Sequence, residues 1–249
     1  LKTSLMTHMI AGYPDFETSL DTARALVAGG AALLEIQFPF SDPSADGPAI
    51  QAACTQALSA GFKVADGWGL VEIVRKEFPS VPVFVMSYAS IVVTKGVEAF
   101  VTRAKAAGVA GLIIPDLAPG ADEGLYAAGK KHAVAVVPVI VPSVPSDRLE
   151  SILALAPEWV YTAIRAGITG SHTTLTDELK VFLASLNART KVMAGFGIDS
   201  VGQVRDLAGT VHTIVVGSAL VREVSSAWKN GGQRAVRSRL EVVVRELLS

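Results

Sequence analysis

The chain has 249 residues, with 22 Lys and Arg against 23 Asp and Glu, a formal net charge of −1, and 50% hydrophobic but only 18% charged residues. Near-neutrality excludes a strongly basic nucleic-acid binder and an acidic tail protein. The single cysteine, Cys54, excludes a disulfide scaffold or a cysteine-rich metal site and fits a reduced, cytoplasmic compartment.

The chain opens on Leu1 rather than Met, so a trimmed native start is expected, and the opening segment lacks the apolar stretch of a signal peptide. Apolar runs rich in β-branched residues then recur, at 5–10, 31–37, 82–87, 111–114, 134–141, 159–163, 191–194 and 212–216. Near-continuous runs of this kind suit parallel strands covered on both faces. The longest, 134–141, contains Pro138 and falls far short of the ~20 residues of a spanning helix. The apolar excess is therefore expected in the core of a soluble fold.

Amphipathic segments separate the runs. They lie at 16–28, 55–60, 66–77, 96–107, 122–131, 146–155, 177–187 and 200–208, followed by a short helix at 218–224 and a terminal one at 233–248. Ser146–Asp147 and Thr176–Asp177 mark helix starts, and Gly29–Gly30 and Gly108 mark helix ends. Eight alternating strand and helix units in one chain of this length predict an α/β fold, a single-domain (β/α)8 TIM barrel over 1–249. An open doubly wound sheet ordinarily opens on a glycine-rich first turn, and Gly12–Tyr13–Pro14 is not one.

Such barrels place their chemistry at the C-terminal ends of the strands. The polar residues there are Asp15, Glu35, Asp42, Asp46, Tyr88, Ser90, Asp116, Tyr161, Arg165 and Thr169. Glu35 stands out, because it lies inside an apolar strand where an unpaired carboxylate is costly. Burial of this kind tunes a carboxyl for general acid/base work, and a buried Glu paired with Arg or a backbone amide is the structural alternative. Gln37 shares its face, two residues on. Asp42 and Asp46 sit in turn sequences that alone could account for them.

Glycines cluster late in the chain, at 194–198 and 216–219, the second group opening a helix at Ser218. Glycines let backbone approach a ligand, and a helix N-terminus offers free N–H groups to an anion. Their place after the seventh and eighth runs favours a phosphate site over turn geometry alone. His8, His132, His172 and His212 show no metal-ligand spacing and read as packing or surface residues, His172 alone lying in a candidate lid. Cys54 reads as a buried packing residue.

The segment LLEIQFPFSDPSADGPAIQAACTQALSAGF closely resembles the signature of the tryptophan synthase alpha subunit. GYPD, MSYAS, LIIPDL, VPVIVPSVPSDRL, YTAIRAGITG, AGFGI and IVVGSALV extend the resemblance nearly end to end. It implies a barrel that cleaves indole-3-glycerol phosphate to indole and glyceraldehyde 3-phosphate, a lyase step of tryptophan biosynthesis. It implies no cofactor in this chain. It also implies a pyridoxal-phosphate-dependent beta subunit as partner, in an αββα heterotetramer. By match to the family's motifs, Glu35 is the general acid/base and Asp46 the partner of the indole N–H. Thr169 helps close the site over Asp46, and Tyr161 and Tyr88 are pocket residues. Gly170, Gly197, Gly217 and Ser218 form the phosphate-binding backbone, and the RAGITGSHTTL loop is a candidate lid.

Three residues depart from the family's usual pattern: Gln37 replaces a glycine, Ala118 a proline and Ser90 an asparagine. A long amide at 37 is expected to line or crowd the pocket. Ser90 and Ala118 lie in loops on the face that the family presents to its partner. The family's usual short N-terminal helix is expected to be missing or trimmed ahead of the first run. Two other readings compete with the lyase: a largely non-catalytic subunit that activates a beta subunit, motivated by Gln37, and another phosphate-binding barrel such as a sugar-phosphate isomerase.

Overall fold

The computed structural model describes residues 3–164 and 175–249. Its strands are β1 (Ser4–Ile10), β2 (Leu33–Gln37), β3 (Val83–Met86), β4 (Gly111–Ile113), β5 (Ala135–Val137), β6 (Val139–Ile140), β7 (Trp159–Ala163), β8 (Lys191–Gly195) and β9 (Thr213–Val216). All pairings are parallel, in the order β5-β4-β3-β2-β1-β9-β8-β7-β6.

The two ends of that order are halves of one apolar run. Only Pro138 separates β5 from β6. Proline has no N–H to give a ladder, so the run breaks there. β5 pairs with β4 and β6 pairs with β7, so the nine strands act as eight staves and the ring closes at the proline. The Tyr161 N–H donates to the Pro138 carbonyl at 2.9 Å across the seam. The result is the expected (β/α)8 barrel.

The helices outside it are α1 (Phe16–Gly29), α2 (Pro48–Ser59), α3 (Val64–Glu77), α4 (Ala89–Thr94) and α5 (Val97–Ala106). Then come α6 (Leu125–His132), α7 (Ser146–Leu153), α8 (Asp177–Asn187), α9 (Val201–Leu207) and α10 (Ser218–Leu248). Among the described residues, no helix is long and apolar enough to cross a membrane.

Local chemistry explains the boundaries. Asp15 accepts from the Thr18 N–H at 2.8 Å and caps α1, which ends on Gly30 at φ 111°. Thr176 and Ser200 cap α8 and α9 with their hydroxyls. Asp15 is thus a capping residue, not a site residue. Asp116 is another, since its carboxylate accepts from the Ala89 N–H that opens α4, at 2.9 and 3.1 Å. The helices expected at 218–224 and 233–248 form one longer stretch, broken at Gly231 and at Gly232, whose φ is 64° and ψ −156°. The start expected at Ser146 lacks a side-chain cap, because Pro145 stands in the capping place.

Side-chain alternation separates two cores. Met6, Leu33, Phe84, Met86, Ile113, Val137, Trp159, Met193 and Val215 fill the barrel. A larger shell between strands and helices holds residues such as Leu34, Ile36, Val85, Val160 and Val192. The strands are buried on both faces, which accounts for the low charge of the sequence. The inner filling gives out toward the C-terminal ends of the strands, where polar side chains replace it.

Candidate active site

A cavity of about 160 Å³ opens there, lined by His8, Glu35, Asp46, Tyr161, Gly197, Gly217 and Ser218, with Ile50, Met86, Ile113, Pro115, Val139 and Phe196 as apolar wall. Glu35 is 3% exposed on β2. Its Cα partner on β1 is His8, and the His8 Nδ1 lies 3.4 Å from Glu35 Oε1. Glu35 Oε2 and His8 Nε2 are buried without a hydrogen-bond partner among the described residues. Among the described residues, the polar neighbour of the buried Glu35 is therefore a histidine, not the arginine or backbone amide of the structural alternative.

Asp46 sits in the loop between β2 and α2 and is 4% exposed. Its Oδ2 accepts from Gln37 Nε2 and from the Tyr88 hydroxyl, each at 2.7 Å. The Gln51 amide fixes the same residue's carbonyl at 2.8 Å. The turn at Asp42–Pro43 is real, and exposed Asp42 stays within it. Asp46 is held for more than turn geometry, because its carboxylate faces the cavity. Burial pushes its pKa above the ordinary carboxylate value, against the opposing pull of the His8 charge and of the Tyr88 and Gln37 hydrogen bonds.

Tyr88 does not line the cavity. It stacks on Phe40 with ring centroids 5.2 Å apart, takes a 3.2 Å hydrogen bond from the Ala45 N–H, and orients Asp46 from behind. Gln37 also departs from expectation. It neither lines nor crowds the cavity; it is fully buried behind Asp46, with its amide nitrogen 3.6 Å from Cys54 Sγ. Cys54 is a buried packing residue, and burial raises its thiol pKa to about 12.

Tyr161 closes one side of the cavity. Burial is the main reason its pKa is raised well above the ordinary phenol value, with the Glu35 and Asp46 charges adding to it, so it stays protonated. The glycines divide into two kinds. Gly195 makes room for this ring, since a Cβ there would lie 2.2 Å from the Tyr161 hydroxyl. Gly197, with φ 100°, and Gly217 instead face the cavity. Gly217 stands at the N-cap of α10 with no side-chain cap, so the free N–H groups of that helix's first turn lie beside the cavity at Ser218. This end suits an anion. Arg165, Thr169, Gly170 and His172, with the candidate lid, lie outside the described residues.

His8 is the site residue that the sequence reading missed. Its signal was present, since it shares inward parity with Met6 on β1. What places it against Glu35 is the register between two strands, which no local pattern specifies. Among the described residues, no group of three or more His, Cys, Asp or Glu side chains is arranged to hold a metal ion.

The family model described as tryptophan synthase alpha chain matches residues 1–248. The tryptophan synthase alpha chain of Helicobacter hepaticus is 40% identical over 231 residues, covering 90% of this chain and 86% of that one. The Opitutus terrae alpha chain is 35% identical over 250 residues, covering 100% and 93%. Among solved structures, Mycobacterium tuberculosis tryptophan synthase superposes with a TM-score of 0.86 at 30% identity, covering 100% of this chain and 94% of that one. A mutant alpha-subunit from Pyrococcus furiosus gives 0.87 at 30% identity, covering 99% and 98%. With the fold, the cavity and these relatives in agreement, the chain belongs to the tryptophan synthase alpha chain family, whose members serve tryptophan biosynthesis.

Proposed function

We propose that this chain cleaves indole-3-glycerol phosphate to indole and glyceraldehyde 3-phosphate by a retro-aldol reaction. The observation that carries this reading is one cavity holding two buried carboxyl side chains, Glu35 and Asp46, an apolar wall, and the N-terminus of α10 with its glycines. A flat aromatic ring fits the wall, and a phosphate fits the helix end.

Glu35 delivers a proton to ring carbon C3 as general acid. Asp46 accepts the ring N–H and stabilises the positive charge that this protonation creates. Glu35, now ionised, takes the proton from the hydroxyl on the carbon attached to the ring. That bond to C3 breaks, its electron pair returns to the ring, and an aldehyde forms. One proton is given and one recovered, so the enzyme ends as it began. The rigid Gln37–Asp46–Tyr88 arrangement keeps the stabilising carboxylate in place before substrate arrives. Gly197, Gly217 and Ser218 hold the phosphate through backbone groups. The family resemblance adds Gly170 to this cradle and Thr169 beside Asp46.

The reaction so written needs no cofactor of its own. Pyridoxal phosphate belongs to a beta chain, which we place on the C-terminal rim of the barrel in an αββα assembly. Exposed Val93 and Val141, and an apolar recess at Pro115, Ala118, Pro119 and Val139, support that placement. Such a chain works in the cytoplasm.

The test is indole release by the purified chain, alone and with a beta chain. Glu35→Gln is expected to abolish release; turnover like the wild type would reject the assignment. Strong stimulation of the beta chain with no indole release in either setting would favour the activator reading instead.

A further inference from the structure

Resting on that reading of Glu35, we propose that His8 is a positioning residue for the reaction: its imidazole, on the neighbouring strand, anchors Glu35 Oε1 and leaves Oε2 as the oxygen that exchanges the proton with substrate. Three observations carry this. The two residues are Cα partners in the β1–β2 ladder, so strand register holds their side chains side by side. Both line the cavity, and Nδ1 to Oε1 is 3.4 Å. The remaining atoms, Glu35 Oε2 and His8 Nε2, have no partner among the described residues although both are buried. Buried polar atoms left unpaired are costly unless a ligand or a proton completes them.

His8 also joins the two ends of the cavity. The Gly217 backbone lies beside the imidazole, where a Cβ at 217 would meet the His8 Cβ at 3.4 Å and its Cγ at 3.5 Å in ordinary van der Waals contact. The ring therefore lies between the acid/base on β2 and the helix end after β9.

Among the described residues, the ionisable groups that line the cavity with His8 are Glu35 on β2, Asp46 in the loop before α2, and Tyr161 on β7. Tyr13 borders a small void on its other side. Burial, the largest influence on His8, opposes its charged form. The charge and contact of Glu35, with the charge of Asp46, outweigh burial and raise the His8 pKa. The imidazole and the carboxyl thus act on one another directly, and the imidazole sets how the carboxyl enters the cycle.

The experiment compares the full-length wild type with His8→Phe, His8→Gln and Glu35→Gln. His8→Phe removes both contact and charge. The expected result is a fall in kcat of about tenfold to a hundredfold, as a misplaced catalytic group gives, with KM little changed. The pH profile of kcat/KM should shift, because an ionisable group that touches the acid/base is gone. His8→Gln keeps an amide donor toward Oε1 without the charge. It should recover part of kcat while keeping the displaced profile, and its thermal melt should match the wild type. A packing role alone would leave the pH profile where it was. Independently of turnover, the His8 ring signals followed by NMR should titrate at lower pH in Glu35→Gln than in the wild type. Unchanged kcat and pH profile in both His8 variants, or a His8 titration indifferent to Glu35→Gln, would overturn the inference. A wild type that releases no indole would instead reject the proposed function, while the NMR titration still decides whether the pair exists.

Discussion

At the residue scale, Asp46 shows stability and function pulling apart. Burial raises its pKa, so the folded chain favours the protonated carboxyl, whereas stabilising a cationic ring needs the ionised one. The associated stability is fully present below the ordinary value of 3.8 and is lost as pH rises through the higher folded value. An asparagine can still accept from Gln37 and Tyr88 but cannot ionise. Asp46→Asn is therefore expected to equal or exceed the wild type in urea-unfolding stability at about pH 7, with the difference shrinking toward pH 4. Indole release should fall by about a hundredfold, the usual effect of losing one electrostatic contact to a transition state. A variant markedly less stable than the wild type at pH 7 would contradict this account of Asp46. Glu35 and Asp46 were both legible in the sequence, Glu35 as a carboxyl in an apolar strand and Asp46 through its family motif. Gln37 was misread as a pocket residue, and His8 as packing. Both errors share a cause: parity along a strand tells which face a side chain takes, but not what lies opposite.

Among the elements, caps and close contacts decide. Asp15 holds the first turn of α1, so Asp15→Ala should cost about 1 kcal/mol in chemical unfolding. Gly195→Ala would drive a methyl into the Tyr161 hydroxyl and ring. Overpacking of this kind costs about 1–3 kcal/mol, and the displaced ring should weaken indole binding as well. An alanine variant with wild-type stability and binding would show that Tyr161 has room to move. The bounds of α8 were legible at both ends, because Thr176 is a working cap. The six-residue α4 was not. Its sequence, ASIVVT, is dominated by β-branched residues that ordinarily favour strands. It is helical because Asp116, 27 residues further on, accepts its first N–H, and a cap supplied from another loop leaves no mark near the helix it caps.

Over the whole molecule, the last helix packs where the barrel closes. After the break at Gly231–Gly232, Val236, Leu240, Val244 and Leu247 are buried, and α10 packs on α1 beneath β1, where the first and last staves meet. The contact is close: a Cβ on Gly29 of α1 would lie 2.6 Å from the Val244 Cβ. Leu240→Ala is expected to cost about 2–5 kcal/mol. A chain truncated after residue 230 should lose cooperative unfolding, read by a broadened thermal melt. A truncated chain that melts sharply at the wild-type temperature would show that the barrel closes without this helix.

By itself the sequence determined the alternation of elements, and hence the barrel class, because buried parallel strands and amphipathic helices each carry their own local periodicity. It also singled out Glu35, since burying an acid in an apolar run is unusual at any position, and Asp46 through its family motif. Tertiary structure alone decided the partners. The register of β1 against β2 placed His8 beside Glu35, and the fold of the loop before α2 brought Asp46 onto Gln37 and Tyr88. Those contacts join residues 9 to 42 positions apart in the chain, and hydrogen bonds and charge act over a few ångströms of space, whatever the separation in sequence.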